Sequence, residues 1–404
     1  MIISTKKGTP KEELEKIVDR FEKQGLDVTL ITGKDYNVFG LVGDTTKIDE
    51  RDVLANPWID NVTRVSAPYK RANRLFHPAD SVIDCGGGKP GGKENNEPLR
   101  YFGEPHKFDF PPKHHVDLCT DLGFIDYTRG VKLAGSGFWM YTGLGARLEW
   151  ALLNYFIDTH LADGYEFILP PHMLEYQCGE TAGQFPKFAD EVYKIQNPTD
   201  DRTHYMLPTA EAALASIYRD EILAEADLPK KFFAYTPCFR REAGSARAEE
   251  RGMVRGHQFN KVEMFQFTRP EDSDDAFDEL VTKAENLVKG LGFHFRTVKL
   301  AAGDCSASMA RTYDIEIQIP SMQGYKEVSS VSNARDYQAR RGNIRFRREA
   351  TGKPEFLHTL NGSGLATSRI FPAMVEQNQL KDGSVKVPEV LQKYLGGLEV
   401  ISKK

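Results

Sequence analysis

Phe239-Arg240-Arg241-Glu242-Ala243-Gly244-Ser245, continuing through Arg251-Gly252-Met253-Val254-Arg255-Gly256-His257-Gln258-Phe259-Asn260-Lys261-Val262-Glu263, is the stretch on which the fold turns. Residues 233–239 and 259–267 alternate and are rich in aromatics, so each reads as one strand of an antiparallel pair. The loop between them is too long and too charged for a hairpin turn. Arginine presents a planar fork of donors that matches phosphate or carboxylate oxygens two at a time. Arg240, Glu242, Arg255, Phe259 and Glu263 are therefore candidates for gripping one polyanionic ligand. On this stretch alone, a solvated surface hairpin is the more ordinary reading of a charged loop.

Composition narrows the classes. A chain of 404 residues is long enough for more than one domain. A formal net charge of −5 argues against coating nucleic acid by bulk positive charge. The start, Met1-Ile2-Ile3-Ser4-Thr5-Lys6-Lys7, has no apolar signal core, and no run of apolar residues is long enough for a membrane span, so the chain reads as cytoplasmic with no membrane partner. Cys85, Cys119, Cys178, Cys238 and Cys305 are scattered without the paired spacing of a disulfide framework or zinc knuckle. The histidines show no metal-binding helical spacing either.

Working back to the front, residues 1–85 have a rhythm of their own. Residues 1–4 read as a strand, and Thr9-Pro10-Lys11-Glu12 as a helix start carrying Leu14, Ile17, Val18 and Phe21 at helical spacing. Strands follow at 28–32 and 37–42, then a helix at 47–55 and a strand at 62–65. The order β-α-β-β-α-β is that of a ferredoxin-like split unit. Arg64-Val65-Ser66-Ala67-Pro68-Tyr69-Lys70 and Phe76-His77-Pro78-Ala79-Asp80-Ser81-Val82-Ile83-Asp84 add a resemblance to the N-terminal ferredoxin-like domain of DAHP synthases. The resemblance implies either a sensor of aromatic amino acids or a packing module reused without a ligand. Residues 86–97 follow as a Gly-rich linker. From Gly87 they fit G-x-x-x-x-G-K, but Glu94 stands where a P-loop needs Ser or Thr, and Pro98 follows where its helix should begin.

The rest, residues 98–404, changes texture. Residues 145–160 place Leu148, Leu152 and Phe156 at helical spacing, and Tyr165-Glu166-Phe167-Ile168-Leu169-Pro170-Pro171 reads as a strand ending in proline. Helix, strand and proline resemble motif 1 of class II aminoacyl-tRNA synthetases. The opening stretch resembles motif 2, and Gly362-Ser363-Gly364-Leu365-Ala366-Thr367-Ser368-Arg369 resembles motif 3. The match is to seryl-tRNA synthetases, with Thr181-Ala182-Gly183-Gln184-Phe185-Pro186-Lys187-Phe188, Pro208-Thr209-Ala210-Glu211, Thr312-Tyr313-Asp314-Ile315-Glu316 and Tyr325-Lys326-Glu327-Val328-Ser329-Ser330 in register. The expected fold is α+β: a ferredoxin-like domain followed by a class II antiparallel sheet flanked by helices.

The resemblance implies roles. Arg240 bridges the α-phosphate of ATP and the serine carboxylate, Glu242 meets the adenine amino group, Phe259 and Arg369 sandwich the adenine, and Arg255 holds the γ-phosphate. Glu327 and Ser330 are implied magnesium ligands, which leaves Arg240, Arg369 and Glu327 as the catalytic set. Thr209, Glu211, Arg240, Glu263, Asn361 and Ser363 match the serine pocket. The implied ligands are L-serine, ATP and Mg2+, and the implied assembly is a homodimer. Arg241 departs from the serine often found after the motif 2 arginine. The front domain carries neither the heptads nor the basic stripe of the helical arm with which these enzymes grip tRNA. Three readings follow: serine activation with transfer to tRNA, the same activation with transfer to a carrier-protein thiol or biosynthetic amine, and a non-catalytic amino-acid sensor.

Overall fold

The computed structural model describes residues 1–32, 37–43, 45, 48–63, 91–196, 202–242, 252–322 and 324–403. It divides into two units, Met1–Lys89 and Pro90–Lys404.

In the first unit β1 (Ile2–Thr5), α1 (Lys11–Glu22), β2 (Asp27–Thr32), β3 (Asn37–Val42), α2 (Glu50–Leu54) and β4 (Ile59–Thr63) follow in order. The sheet runs β2-β3-β1-β4, with every pair antiparallel. This is the expected ferredoxin-like arrangement, in which β1 lies between strands that are not its sequence neighbours. Alternation in β1 buries Ile3, and the helical spacing of α1 buries Leu14, Ile17 and Phe21; these meet Phe39, Leu41, Val53 and Ile59 in one core. Helix α2 is shorter than expected, and β4 begins earlier than expected. The segments 64–70 and 76–84, which carry much of the DAHP-synthase resemblance, lie outside the described residues.

The second unit is built on an eight-stranded sheet. Its strands are β5 (Glu97–Phe102), β6 (Glu166–Ile168), β7 (Lys230–Phe239), β8 (Gln258–Thr268), β9 (Phe295–Lys299), β10 (Arg311–Gln318), β11 (Tyr325–Arg335) and β12 (His358–Ala366). They lie in the order β5-β9-β10-β11-β12-β8-β7-β6, antiparallel throughout except that β6 runs parallel to β7. Helices α3 (Gly143–Ala162), α4 (Ser273–Gly290) and α5 (Thr367–Gln377) supply apolar faces to its main core, including Leu152, Phe156, Leu280, Leu287 and Phe371 against Phe233, Met264 and Val331. A second core gathers Tyr205, Leu214, Phe232, Phe265 and Phe346.

The stretch expected as a linker ends differently. Residues 86–90 lie outside the described residues, but 91–97 are built into the second unit. Gly303 donates to the Gly91 carbonyl (3.2 Å), Ala301 N–H donates to Asn96 Oδ1 (2.9 Å), and Asn96 Nδ2 donates to Asp304 Oδ2 (2.8 Å). Its glycine content suggested slack chain, whereas the hydrogen-bonding reach of Asn96 holds it down. None of the described helices is long and apolar enough to cross a membrane. The four described cysteines, Cys119, Cys178, Cys238 and Cys305, are free thiols.

Candidate active site

The loop between β7 and β8 is closed at its base. Arg240 N–H donates to the His257 carbonyl (2.9 Å), and His257 Nδ1 lies 2.9 Å from the Arg240 carbonyl. Arg240 and Arg255 are thus held on either side of residues 243–251, which lie outside the described residues. A Cβ at Gly256 would come within 2.1 Å of the Trp139 ring, so any other residue there would force that ring to shift. Glu242 stands in the left-handed region (φ 50°), an uncommon position for a residue with a side chain, and accepts from Arg255 Nη1 at 3.0 Å. The Arg240 guanidinium lies over the Phe259 ring, 5.2 Å from its centroid, while its Nε donates to the Pro208 carbonyl (3.2 Å).

Beside it lies a buried polar pocket. Residues 259, 261 and 263 of β8 alternate onto one face, so Phe259, Lys261 and Glu263 stand in a row. Glu263 pairs in register with Ser363 of β12. It receives Asn361 Nδ2 on Oε1 (3.1 Å), and on Oε2 it receives Ser363 Oγ (3.4 Å) and the Lys261 ammonium (2.5 Å). Lys261 Nζ also donates to Thr209 Oγ1 (2.6 Å). Glu211 accepts from Gln338 Nε2 (2.8 Å) and Gln184 Nε2 (3.5 Å). Burial, helped by the nearby Glu263 charge, pushes the Glu211 carboxyl up to about 7. Thr209, Glu211, Lys261, Glu263, Asn361 and Ser363 line a cavity of about 400 Å³ together with Arg240, Glu242, Glu327 and Ser330.

A second cavity of about 350 Å³ is lined by Glu327, Ser330, Asp314, Arg255 and Arg369. Residues three apart on a regular strand face opposite sides of the sheet. In β11 the register shifts opposite Ile315 and Glu316, so Val328 is an extra residue and Glu327 and Ser330 reach the same cavity. Arg369 Nη1 donates to the Glu327 carbonyl (2.6 Å) and lies 3.5 Å from its Oε2. A third, smaller cavity, lined by Arg240, Glu242, Arg255, Phe259, Ser363 and Arg369, offers a slot with an aromatic ring and guanidinium groups in its walls. Burial, with the adjacent Glu327 charge, holds Asp314 well above the usual carboxylate range.

Buried polar groups tie the three motif regions together. Glu149 of α3 accepts from Asn260 Nδ2 of β8 (2.8 Å) and Thr367 Oγ1 of α5 (2.6 Å), and burial pushes its carboxyl up to about 7. His115 and His114 lie close enough to Glu376 to suggest a metal cluster, which the histidine spacing gave no sign of. Glu376, however, already accepts from the His115 backbone (2.8 Å), His115 Nδ1 (2.6 Å), and Ser321 N (2.7 Å) and Oγ (2.6 Å), a set that satisfies a buried carboxylate.

Every residue singled out from the sequence for ATP, serine or magnesium lines at least one of these three cavities. Arg241, the departure from pattern, does not. Its backbone N–H and Nη1 bond the Glu191 (2.9 Å) and Asp190 (2.8 Å) carbonyls instead. Sequence reasoning missed Lys261, Gln338, Gln184 and Asp314. Lys261 was findable, since it falls between Phe259 and Glu263 on one strand face. Gln184 lies in the segment 181–188 that the resemblance already marks, whereas Gln338 is brought in by packing distant in sequence and nothing local marks it.

With this geometry in hand, comparison with known proteins is informative. Residues 193–378 match the model of the tRNA synthetase class II core domain (G, H, P, S and T), and residues 1–67 match that of the DAHP synthase ferredoxin-like domain. Over 308 residues the chain is 67% identical to a serine–tRNA ligase 2 of Clostridium acetobutylicum, covering 76% of this chain and 72% of that protein. It is 49% identical to a serine–tRNA ligase of a Geobacillus species over 310 residues, with the same shares covered. Among solved structures, a seryl-tRNA synthetase from Pyrococcus horikoshii complexed with ATP superposes with a TM-score of 0.74 at 35% identity, over 78% of this chain and 73% of that one. A cytoplasmic serine–tRNA ligase from Naegleria fowleri in complex with AMP gives 0.73 at 31% identity, over 78% and 74%. The chain belongs to the seryl-tRNA synthetase family of class II aminoacyl-tRNA synthetases.

Proposed function

We propose that this protein activates L-serine with ATP to seryl-adenylate and pyrophosphate and transfers the seryl group to tRNA. The observation that carries the reading is the meeting of buried carboxylates and a hydroxyl suited to an ammonium and a hydroxyl group, at Thr209, Glu211 and Glu263, with an arginine-lined cleft at Arg240, Arg255 and Arg369.

Within it, Glu211 and Thr209 take the serine ammonium. Glu263, Asn361 and Ser363 take the hydroxyl, so that alanine would leave buried polar groups unpaired. Arg240 reaches the serine carboxylate and the α-phosphate, positioning the attack and neutralising charge that builds at phosphorus. To do so it leaves the face of Phe259, which the adenine then occupies with Arg369 on its other side. Glu242 and Arg255 part to meet the adenine amino group and the γ-phosphate. Glu327 and Ser330 present only oxygen donors to one cavity, which fits a magnesium ion. When bound there, magnesium would neutralise phosphate charge. We also read the working form as a cytoplasmic homodimer, on the resemblance of the helix and strand at 143–168 to class II motif 1.

Charging of total tRNA with labelled serine tests the transfer. Acid-precipitable label supports it. Serine activation without label would instead favour the second reading, transfer to a carrier-protein thiol or biosynthetic amine. The sensor reading loses ground because Arg240, Glu327 and Arg369 are all present in the cleft.

A further inference from the structure

Asp314 has no task in the reading above. It lies on β10 directly across from Ser330 of β11 and is only 7% exposed. The Ser330 hydroxyl bonds its carboxyl, yet Oδ1 is buried with no hydrogen-bond partner. A buried carboxylate oxygen left without a partner is costly, and native folds retain one where something else supplies the missing contact.

The surroundings say what could supply it. Asp314 lines the same cavity as Glu327, Ser330, Asp304 and Glu316. Two of its acidic neighbours are already satisfied: Glu316 pairs with Arg296 at 2.7 Å, and Asp304 accepts from Asn96. The arginines in the wall are engaged too, Arg369 with Glu327 and Arg255 with Glu242. Glu327 keeps an arginine 3.5 Å from its Oε2, so Asp314 is the carboxylate here with an oxygen left unpartnered, and with Glu327 it flanks the Ser330 hydroxyl in one cavity. Magnesium and manganese are hard cations that take oxygen ligands, with one or two protein carboxylates and substrate phosphates completing the shell.

We propose that Asp314 is a third protein ligand of the divalent cation, so that the metal is held by Asp314, Glu327 and the Ser330 hydroxyl. This rests on the reading of Glu327 and Ser330 as the cation site and extends it. Asp314 would fix the ion on the sheet side of the cleft, leaving its outer positions for phosphate oxygens.

The test is binding of Mn2+ to the full chain with a non-hydrolysable ATP analogue, followed through the electron paramagnetic resonance signal of free Mn2+. Asp314→Asn keeps the shape and the bond from Ser330 but withdraws a charged ligand. It should weaken Mn2+ by at least about tenfold, and its melting temperature in EDTA should equal or exceed the wild-type value. If Asp314→Asn does not fold, Asp314→Ser takes its place under the same criterion. Unchanged Mn2+ affinity in Asp314→Asn alongside lost binding in Glu327→Gln would overturn the assignment while leaving the Glu327 site standing. That result with a lowered melting temperature would mean Asp314 only orients Ser330. If the wild-type protein binds no Mn2+ beyond what the analogue alone retains, the cation site itself is wrong and this inference falls with it.

Discussion

Lys261 Nζ sits 2.5 Å from Glu263 Oε2, both side chains being almost fully buried beside the proposed serine pocket. Lysine here offsets the charge of Glu263 and, at longer range, of Glu211. Removing one partner of a buried pair leaves an uncompensated charge, at a cost of roughly 3–5 kcal/mol. Lys261→Met should therefore lower the melting temperature clearly and raise the KM for serine more than the KM for ATP. Differential scanning fluorimetry and pyrophosphate exchange read both. A variant with wild-type melting and serine KM would show that the pair does not shape the pocket.

Glu211 gives the site a pH dependence. Its folded-state value of about 7 lies above the unfolded value of 4.5. Its contribution to the stability of the free protein is thus full below about 4.5 and is lost as pH rises through about 7. If Glu211 takes the serine ammonium as proposed, serine binding runs the other way, because an ammonium prefers the ionised carboxylate. The KM for serine should rise as pH is lowered below about 7, approaching tenfold per unit, and Glu211→Gln should remove the dependence. Glu149 titrates in the same range but lies in the helix network, so Glu149→Gln should keep it. The KM profile of the two variants decides the matter: a dependence that survives in Glu211→Gln would assign it to another group.

The Arg241 side chain bonds the Asp190 carbonyl, while its backbone N–H bonds that of Glu191. Arg241→Ser should leave kcat/KM for serine and ATP within about twofold of wild type, as for surface substitutions away from a site. A loss of a hundredfold in steady-state exchange kinetics would mean the side chain turns into the cleft.

Ser363 and Asn361 both donate to Glu263. If that trio reads the substrate hydroxyl, Asn361→Ala should narrow the preference for serine over alanine, measured as the ratio of kcat/KM values in exchange. The wild-type ratio should be large, because hydroxyl-reading sites reject analogues lacking the group by about 10⁴-fold or more.

Much of this was legible before any coordinates. Alternation and aromatic content located β7 and β8, and the helical spacing of Leu148, Leu152 and Phe156 located α3 to within a few residues. Boundaries in the front unit were less exact, because short elements such as α2 carry little periodic signal. The motif residues were placed by register with a family pattern, which could not show their mutual contacts. That Glu242 pairs with Arg255, and that Arg240 rests on Phe259, depends on side-chain conformations that no spacing rule encodes. The shift in β11 that brings Glu327 and Ser330 to one cavity is likewise a property of strand pairing. Residues 91–97 were misjudged because glycine content spoke louder than one asparagine.

The most direct measurement is exchange of labelled pyrophosphate into ATP with each amino acid in turn, for the wild-type protein and for Arg240→Ala. Exchange with serine and magnesium, lost in a folded Arg240→Ala, is the predicted result. No exchange above background with any amino acid, or wild-type turnover in Arg240→Ala, would contradict it.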